Sequence, residues 1–207
     1  MFHQNAHDNT DKNSTTNLHS KFIESIRPFV DFVTHCPEVD IGLGAPRQFV
    51  RIVMTDNQRR FVQPATNRNL TNIMISYVEN LIVSLKEIDG FVLKDGSPSC
   101  SINRVRYYSG PEKGAPTKTE GSGFFGGAVL DRFYGTPIES DGRLRNAKIR
   151  ETFLTKIFML ADLRRVASSG KMHELVRYHS ISQKISTNER RSPFRRCFNH
   201  TDREIFH

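Results

Sequence analysis

Two short segments carry most of the chemistry that this chain of 207 residues offers: Cys36-Pro37-Glu38 and Ser97-Pro98-Ser99-Cys100. Pro37 fixes its own φ and biases Cys36 towards extended backbone, and Pro98 does the same for Ser97, so each loop leaves from a rigid start. Loops of that kind position chemistry, here two thiols available to a metal or to a catalytic step. A cysteine without such a setting is more often a small buried hydrophobe. The chain has three cysteines and no export signal, which argues against a disulfide framework and for reduced thiols, and their spacing fits no zinc pattern.

The elements that must hold these loops read as alternating strands and helices. Leu18, Phe22, Ile23 and Ile26 recur at helical spacing, Pro28 stops that helix, and the run Phe29 to Val33 predicts a strand that delivers Cys36. Gln48 to Val53 predicts a second strand. Thr66 or Asn67 then caps a long amphipathic helix carrying Leu70, Ile73, Met74, Tyr77, Leu81 and Leu85, which ends near Asp89-Gly90. Phe91-Val92-Leu93 is a short buried strand that delivers the second loop, and Ile102 to Tyr108 is extended. Ser109 to Gly123 is rich in Gly, Pro and Lys and predicts a mobile loop, followed by a short helix near Phe125 to Phe133. A longer helix, Ala147 to Val166, buries Ile149, Phe153, Ile157, Leu160 and Leu163.

Strands alternating with helices predict one α/β domain over 18–166, three-layered and Rossmann-like, with a parallel or mixed sheet. Both cysteine loops then fall outside the carboxyl ends of adjacent parallel strands, which favours a shared site. Residues 1–17 are dominated by Asn, Thr, Ser, His and Asp and read as disordered. Residues 167–207 read as an irregular basic tail with a short helix near Met172 to His179.

Several function classes fall away. No apolar run approaches the ~20 residues that cross a bilayer, and the first residues lack the order of a signal peptide, so a cytoplasmic protein with no membrane partner is expected. The net charge is +8, yet half of it lies in the last 37 residues, where eight Lys/Arg face four Asp/Glu. Such a tail is usually a solvated end, so nucleic acid is not an expected partner. Gly42-x-Gly44 and Gly121-x-Gly123 open no helix with a full nucleotide fingerprint and read as flexible loops.

Three ordered motifs carry a resemblance: Cys36-Pro37-Glu38-Val39-Asp40-Ile41-Gly42-Leu43-Gly44-Ala45-Pro46-Arg47, Lys94-Asp95-Gly96-Ser97-Pro98-Ser99-Cys100, and Glu139-Ser140-Asp141-Gly142-Arg143-Leu144. Together they closely resemble the 2-thiouracil desulfidase family, over about Phe29 to Val166. The resemblance implies a single α/β domain with a 4Fe-4S cluster on three cysteines. One iron is left open to take the sulfur of a thiolated pyrimidine, so that 2-thiouracil yields uracil and sulfide. Thiolates suit such a cluster, and three protein ligands leave a Lewis-acidic iron for a soft sulfur atom. Cys36 and Cys100 match two cluster ligands, Glu38 an acid suited to proton transfer, and Ser97 a hydroxyl suited to orienting substrate or water. Arg47 and Ser99 are expected on the substrate side.

The chain also departs from the family pattern. Members open with a strand and a Ser-x-Cys-Leu-Leu-Gly loop that supplies the first cysteine, and no cysteine precedes Cys36 here. The expected sheet therefore lacks the family's first strand, and Ser101 stands where a glycine is usual. Glu174 to His179 looks like the opening of the second helical domain of a longer family form. Arg190-Arg191 and Arg195-Arg196-Cys197 do not follow that form, so Cys197 is a poor third ligand, and His35, His7 or His19 are the other residues able to substitute. Glu38 and Arg47 equally suit a structural ion pair, Ser97 a turn before Pro98, and Arg143 either role. Two further readings stand beside the desulfidase: an inactive remnant of the family, and a basic nucleic-acid-associated protein resting on the tail alone. The physiological thio-compound and the oligomeric state are not encoded in any motif.

Overall fold

A tight hairpin opens the main sheet. Asp56 and Asn57 have φ of 51° and 60°, the left-handed pair that a two-residue I′ turn requires. They join β1 (Arg51–Thr55) to β2 (Gln58–Gln63), paired antiparallel from Arg51↔Val62 to Thr55↔Gln58. The computed structural model describes residues 22–187, so the expectations for 1–17, for the family's first strand and for Cys197 fall outside the described residues.

Along the chain the further strands are β3 (Arg68–Asn69), β4 (Phe91–Leu93), β5 (Val105–Tyr108), β6 (Thr117–Gly121) and β7 (Ile138–Ser140). The helices are α1 (22–26), α2 (Thr71–Ser84), α3 (Phe124–Arg132), α4 (Ala147–Ser169) and α5 (Met172–Thr187). A five-stranded sheet has the order β3-β2-β1-β5-β6, with β1 and β5 parallel and the other pairs antiparallel. A separate two-stranded sheet pairs β4 with β7 in parallel. This is a mixed α/β fold of the Rossmann-like kind.

Two apolar clusters sandwich β4. Met74, Val78 and Leu81 of α2 and Phe124, Phe125 and Val129 of α3 pack on Ile52, Phe61, Val105 and Tyr107, and Phe91 and Leu93 join them. Phe22, Ile23 and Ile26 of α1 and Phe153, Leu154 and Ile157 of α4 close over Val92 from the other side. Alternate β4 side chains thus point into opposite layers, which is why a three-residue run with no polar member is a strand here.

The structure corrects several expectations. No ladder strand forms at Phe29 to Val33: a 3-10 turn, Arg27–Phe29, uses Pro28 at its start, where a missing N–H costs nothing, and the chain leaves it through an extended Val30 and reaches Cys36 without joining either sheet. Phe29 and Val33 are consequently half-exposed. β1 begins at Arg51 rather than Gln48, and its hairpin partner β2 has a polar opening that conceals a strand. α2 begins at Thr71, not at Thr66 or Asn67, because Asn69 Oδ1 accepts from the Thr71 N–H at 3.1 Å and from its Oγ1 at 2.6 Å. It ends at Ser84, five residues short of Asp89. Residues 109–123 are not all loop, since β6 lies within them, and α5 runs on past His179 to Thr187. No described helix is long and apolar enough to cross a membrane.

Candidate active site around Cys36 and Cys100

The first loop turns back on itself. After Cys36 the backbone is helical over 37–43, with the Asp40 N–H donating to the Cys36 carbonyl at 2.8 Å. Gly42 and Gly44 adopt φ of 88° and 69°, a region that glycine enters without a Cβ penalty, and the reversal returns Arg47 to the start of the loop. Arg47 Nε donates to Glu38 Oε2 at 2.7 Å, Nη1 to the Gly44 carbonyl at 3.3 Å, and Nη2 lies 3.8 Å from Cys36 Sγ. The Glu38–Arg47 side chains are only 9% and 11% exposed, so this is a buried ion pair with a cation beside the Cys36 sulfur.

The second loop is clamped at both ends. Leu93 is paired with Ser140, which sets Asp141 beside Lys94 and Asp95. The buried Asp141 carboxylate accepts from Lys94 Nζ at 2.6 Å and from the N–H groups of Asp95 and Gly142 at 2.8 and 2.9 Å. At the far end the start of α3 docks on the loop: the N–H groups of Gly123, Phe124 and Phe125 donate to the carbonyls of Ser101, Pro98 and Ser99. Helix N-termini carry unpaired N–H groups, and here the loop supplies their acceptors. The approach is close enough that a Cβ at Gly123 would lie 2.6 Å from the Ser99 carbonyl, and one at Gly126 would collide with the carbonyls of Cys100 and Ser101. Gly123 therefore serves packing rather than flexibility. Ser101 is fully buried and satisfied, accepting from the Gly96 N–H at 3.1 Å and donating to the Asn103 carbonyl at 2.7 Å.

The two loops meet at the Glu38 carboxylate. Ser99 Oγ donates to Glu38 Oε1 at 2.7 Å and Ser97 Oγ lies 3.3 Å from the same oxygen. Ser99 Oγ is also 3.4 Å from Cys100 Sγ and 2.9 Å from Ser97 Oγ. Ser97 Oγ accepts from the N–H groups of Ser99 and Cys100 at 3.3 and 3.2 Å, which is the turn expected before Pro98. Burial drives the Cys100 thiol well above its ordinary range. Its bond to Ser99 opposes the shift, and the charges of Glu38 and Cys36 add to it. A protonated Cys100 thus sits one hydroxyl away from a carboxylate, the order of groups along which a thiol proton leaves.

A second polar cluster braces the first loop. Tyr77, on α2, donates a short hydrogen bond to Asp40 Oδ2, and His35 Nδ1 lies 3.4 Å from both partners. Burial raises the Tyr77 hydroxyl well above its ordinary range, with the Asp40 bond and charge next and the charges of Cys100 and Cys36 after them. Reading Tyr77 as an apolar helix position missed this; an exposed-side Asp four residues after Cys36 was the available signal.

Cys36, Glu38, Arg47, Ser97, Ser99 and Cys100 are therefore all in one place. Arg143 is elsewhere, paired with Glu139 at 2.8 Å and half-exposed. The donor chemistry suits an iron–sulfur cluster in type but not in number. Two thiols converge, and among the described residues no group of three His, Cys, Asp or Glu side chains forms a metal site.

No curated protein and no solved structure matches the chain. The family model described as 2-thiouracil desulfurase matches residues 9–141, which takes in both cysteine loops, the hairpin, α2, α3 and the Asp141 clamp. With that match over well more than half of its length, the chain belongs to the 2-thiouracil desulfurase family.

Proposed function

We propose that this chain removes sulfur from a thiolated pyrimidine such as 2-thiouracil, and that Cys36 and Cys100 are two ligands of a 4Fe-4S cluster. Family membership supports the reaction class. The observation that carries the reading is the shared carboxylate: Glu38 accepts from Ser99 of one loop and Arg47 of the other, so thiols, acid and hydroxyls form one connected set.

The net change is an exchange, in which a thiocarbonyl and water give a carbonyl and hydrogen sulfide with no change in oxidation state. Two protons leave the water and end on the sulfur, so a carboxylate linked to a hydroxyl is the machinery required. Ser99 Oγ, bonded to Glu38 Oε1, is the hydroxyl that passes protons to and from that carboxylate, and its contact with Cys100 Sγ is the route by which the thiol proton would leave once, when Cys100 becomes a ligand. Arg47 has Nε and Nη1 engaged by Glu38 and Gly44, so its part is to hold the carboxylate in place and set positive charge beside Cys36. Ser97 fixes the loop through two backbone N–H groups while its own proton faces Glu38 or Ser99.

Anaerobic purification with iron and sulfide supplied, followed by iron and acid-labile sulfide analysis and a visible spectrum, tests the ligand assignment. A brown protein with broad absorption near ~400 nm that is lost in both Cys36→Ala and Cys100→Ala supports it. One observation favours a second reading, a family member that keeps the fold without the reaction: the described donor set is one ligand short. A colourless, folded wild type would select that reading.

A further inference from the structure

The five-stranded sheet has a second face that the apolar clusters do not use. Residues alternate across a strand, and since Ile52, Phe61 and Tyr107 face α2 and α3, the side chains of Arg51, Arg60, Arg106 and Tyr108 belong to the opposite face. Val53, buried beneath them, belongs to neither cluster. A cavity of about 280 Å³ opens there, lined by Phe49, Arg51, Arg104, Arg106 and Tyr108 and reaching Gly96 and Pro98 on the outer side of the Cys100 loop.

Its arginines are arranged as anion donors. The Arg51 guanidinium is held between two rings, 4.5 Å from the Tyr108 centroid and 5.2 Å from that of Phe49, and its Nη1 donates to the Glu112 carbonyl at 2.8 Å. Its Nε is buried with no acceptor, the single such side-chain atom among the described residues. A buried donor left unpaired is costly, so a donor fixed in place and without a partner points to a ligand oxygen. Arg51, Arg104 and Arg106 make none of the ion pairs found among the described residues, and the nearest acid in register is Glu120, opposite Arg106 on β6.

We infer that this face binds single-stranded nucleic acid, with the Arg51, Arg104 and Arg106 guanidiniums on successive phosphates and the Phe49 ring as a stacking surface. Two features select a polyanion over one small anion, and a third sets aside the chain's own C-terminal segment as the occupant. Arg51 and Arg106 precede the paired Ile52 and Tyr107 on the neighbouring strands β1 and β5, and Arg60 on β2 lies opposite Val53, two residues along from Arg51, so the charge extends over three strands, a longer path than one phosphate needs. Phe49 is 55% exposed beside them, and base stacking on an aromatic ring tolerates any sequence. The segment 188–207, with five Arg and three acidic residues, carries the wrong sign to cover the face itself. The inference does not depend on the reaction at Cys36 and Cys100.

The test is fluorescence anisotropy of the full chain with a labelled 12-nucleotide oligouridylate across 50 to 200 mM salt, with uridine monophosphate and inorganic phosphate as competitors. The expected result is salt-sensitive binding whose log–log slope drops by about 2 in Arg51→Gln/Arg104→Gln/Arg106→Gln, at roughly 0.7 per lost phosphate contact. Replacing Arg190, Arg191, Arg195 and Arg196 with Gln should leave the slope in place. Should Arg51→Gln unfold the protein, the exposed pair Arg104→Gln/Arg106→Gln should still lower the slope by about 1.4. No binding at 50 mM salt, binding lost only in the 190–196 variant, or displacement by the mononucleotide at equal phosphate concentration would each overturn the proposal.

Discussion

At the scale of single residues, the site depends on charges and protons held out of water. Glu38 and Arg47 form a buried pair, and such a pair is most costly when only one partner is removed. Arg47→Met leaves the carboxylate uncompensated and should lower the unfolding free energy by about 3 kcal/mol, more than the double variant Arg47→Met/Glu38→Gln that removes both charges, as chemical denaturation would show. Equal losses in the two variants would mean that the pair is more solvated than its burial indicates. Cys100 makes a pH-dependent contribution of definite sign. Its folded-state pKa is raised, so above the ordinary thiol range near pH 9.0 the unfolded chain releases a proton that the folded chain retains. Stability is therefore complete below pH 9 and falls above it, by up to about 1.4 kcal/mol per pH unit for one proton. Cys100→Ala should flatten that fall as followed by Tm against pH. Part of the slope above pH 10.0 should persist, because the Tyr77 hydroxyl is raised in the same sense.

At the scale of elements, the Cys100 loop is positioned by partners far away in sequence. Gly126 brings the first turn of α3 onto the loop carbonyls, and a side chain there meets backbone that cannot rotate away. Gly126→Ala should cost about 2 kcal/mol or more through overpacking and should displace Ser99 from Glu38, whereas Gly135→Ala, with open space around it, should cost only its left-handed backbone penalty. Comparable losses in the two would remove the docking of α3 from the account. The same long-range pairing explains what the sequence could disclose. Cys36, Glu38, Arg47 and the Ser97 to Cys100 loop announce themselves by local type and by proline, and they do converge. The Asp141 clamp and the Gly126 contact depend on the pairing of Leu93 with Ser140 and on α3 packing, and no local pattern encodes either. Phe29 to Val33 failed in the opposite sense: five residues of strand composition joined neither sheet, and β propensity is chiefly a statement about neighbouring strands.

At the scale of the molecule, two sheets share one buried junction. Phe91 and Leu93 belong to the cluster beneath the five-stranded sheet and Val92 to the cluster under α1 and α4, so β4 is where both cores meet. α5, in contrast, has no fully buried side chain among its described residues and is tied to α4 through the Tyr178 hydroxyl on the Met159 carbonyl at 3.1 Å. Native-state hydrogen exchange should reflect that gradient, with β4 amides exchanging through global unfolding and α5 amides through local opening. Equal protection in the two would show that α5 belongs to the same cooperative unit. The α/β class and most helix positions were legible from apolar periodicity. The split of the strands into two sheets, and the arginine face that it leaves uncovered, depend on which strands pair, and Arg51, Arg60 and Arg106 read in sequence only as scattered surface charge.

The central claim is that the connected set of Cys36, Glu38, Ser99 and Cys100 serves sulfur removal, and it is met most directly by product analysis. Anaerobic protein supplied with iron and sulfide would be incubated with 2-thiouracil, and uracil and sulfide measured together beside Glu38→Gln and Cys100→Ala. The account predicts both products in equal amounts from the wild type, a loss of roughly 100-fold or more in Glu38→Gln, and none from Cys100→Ala. A folded wild type that releases neither product, or a Glu38→Gln variant as active as the wild type, would contradict it.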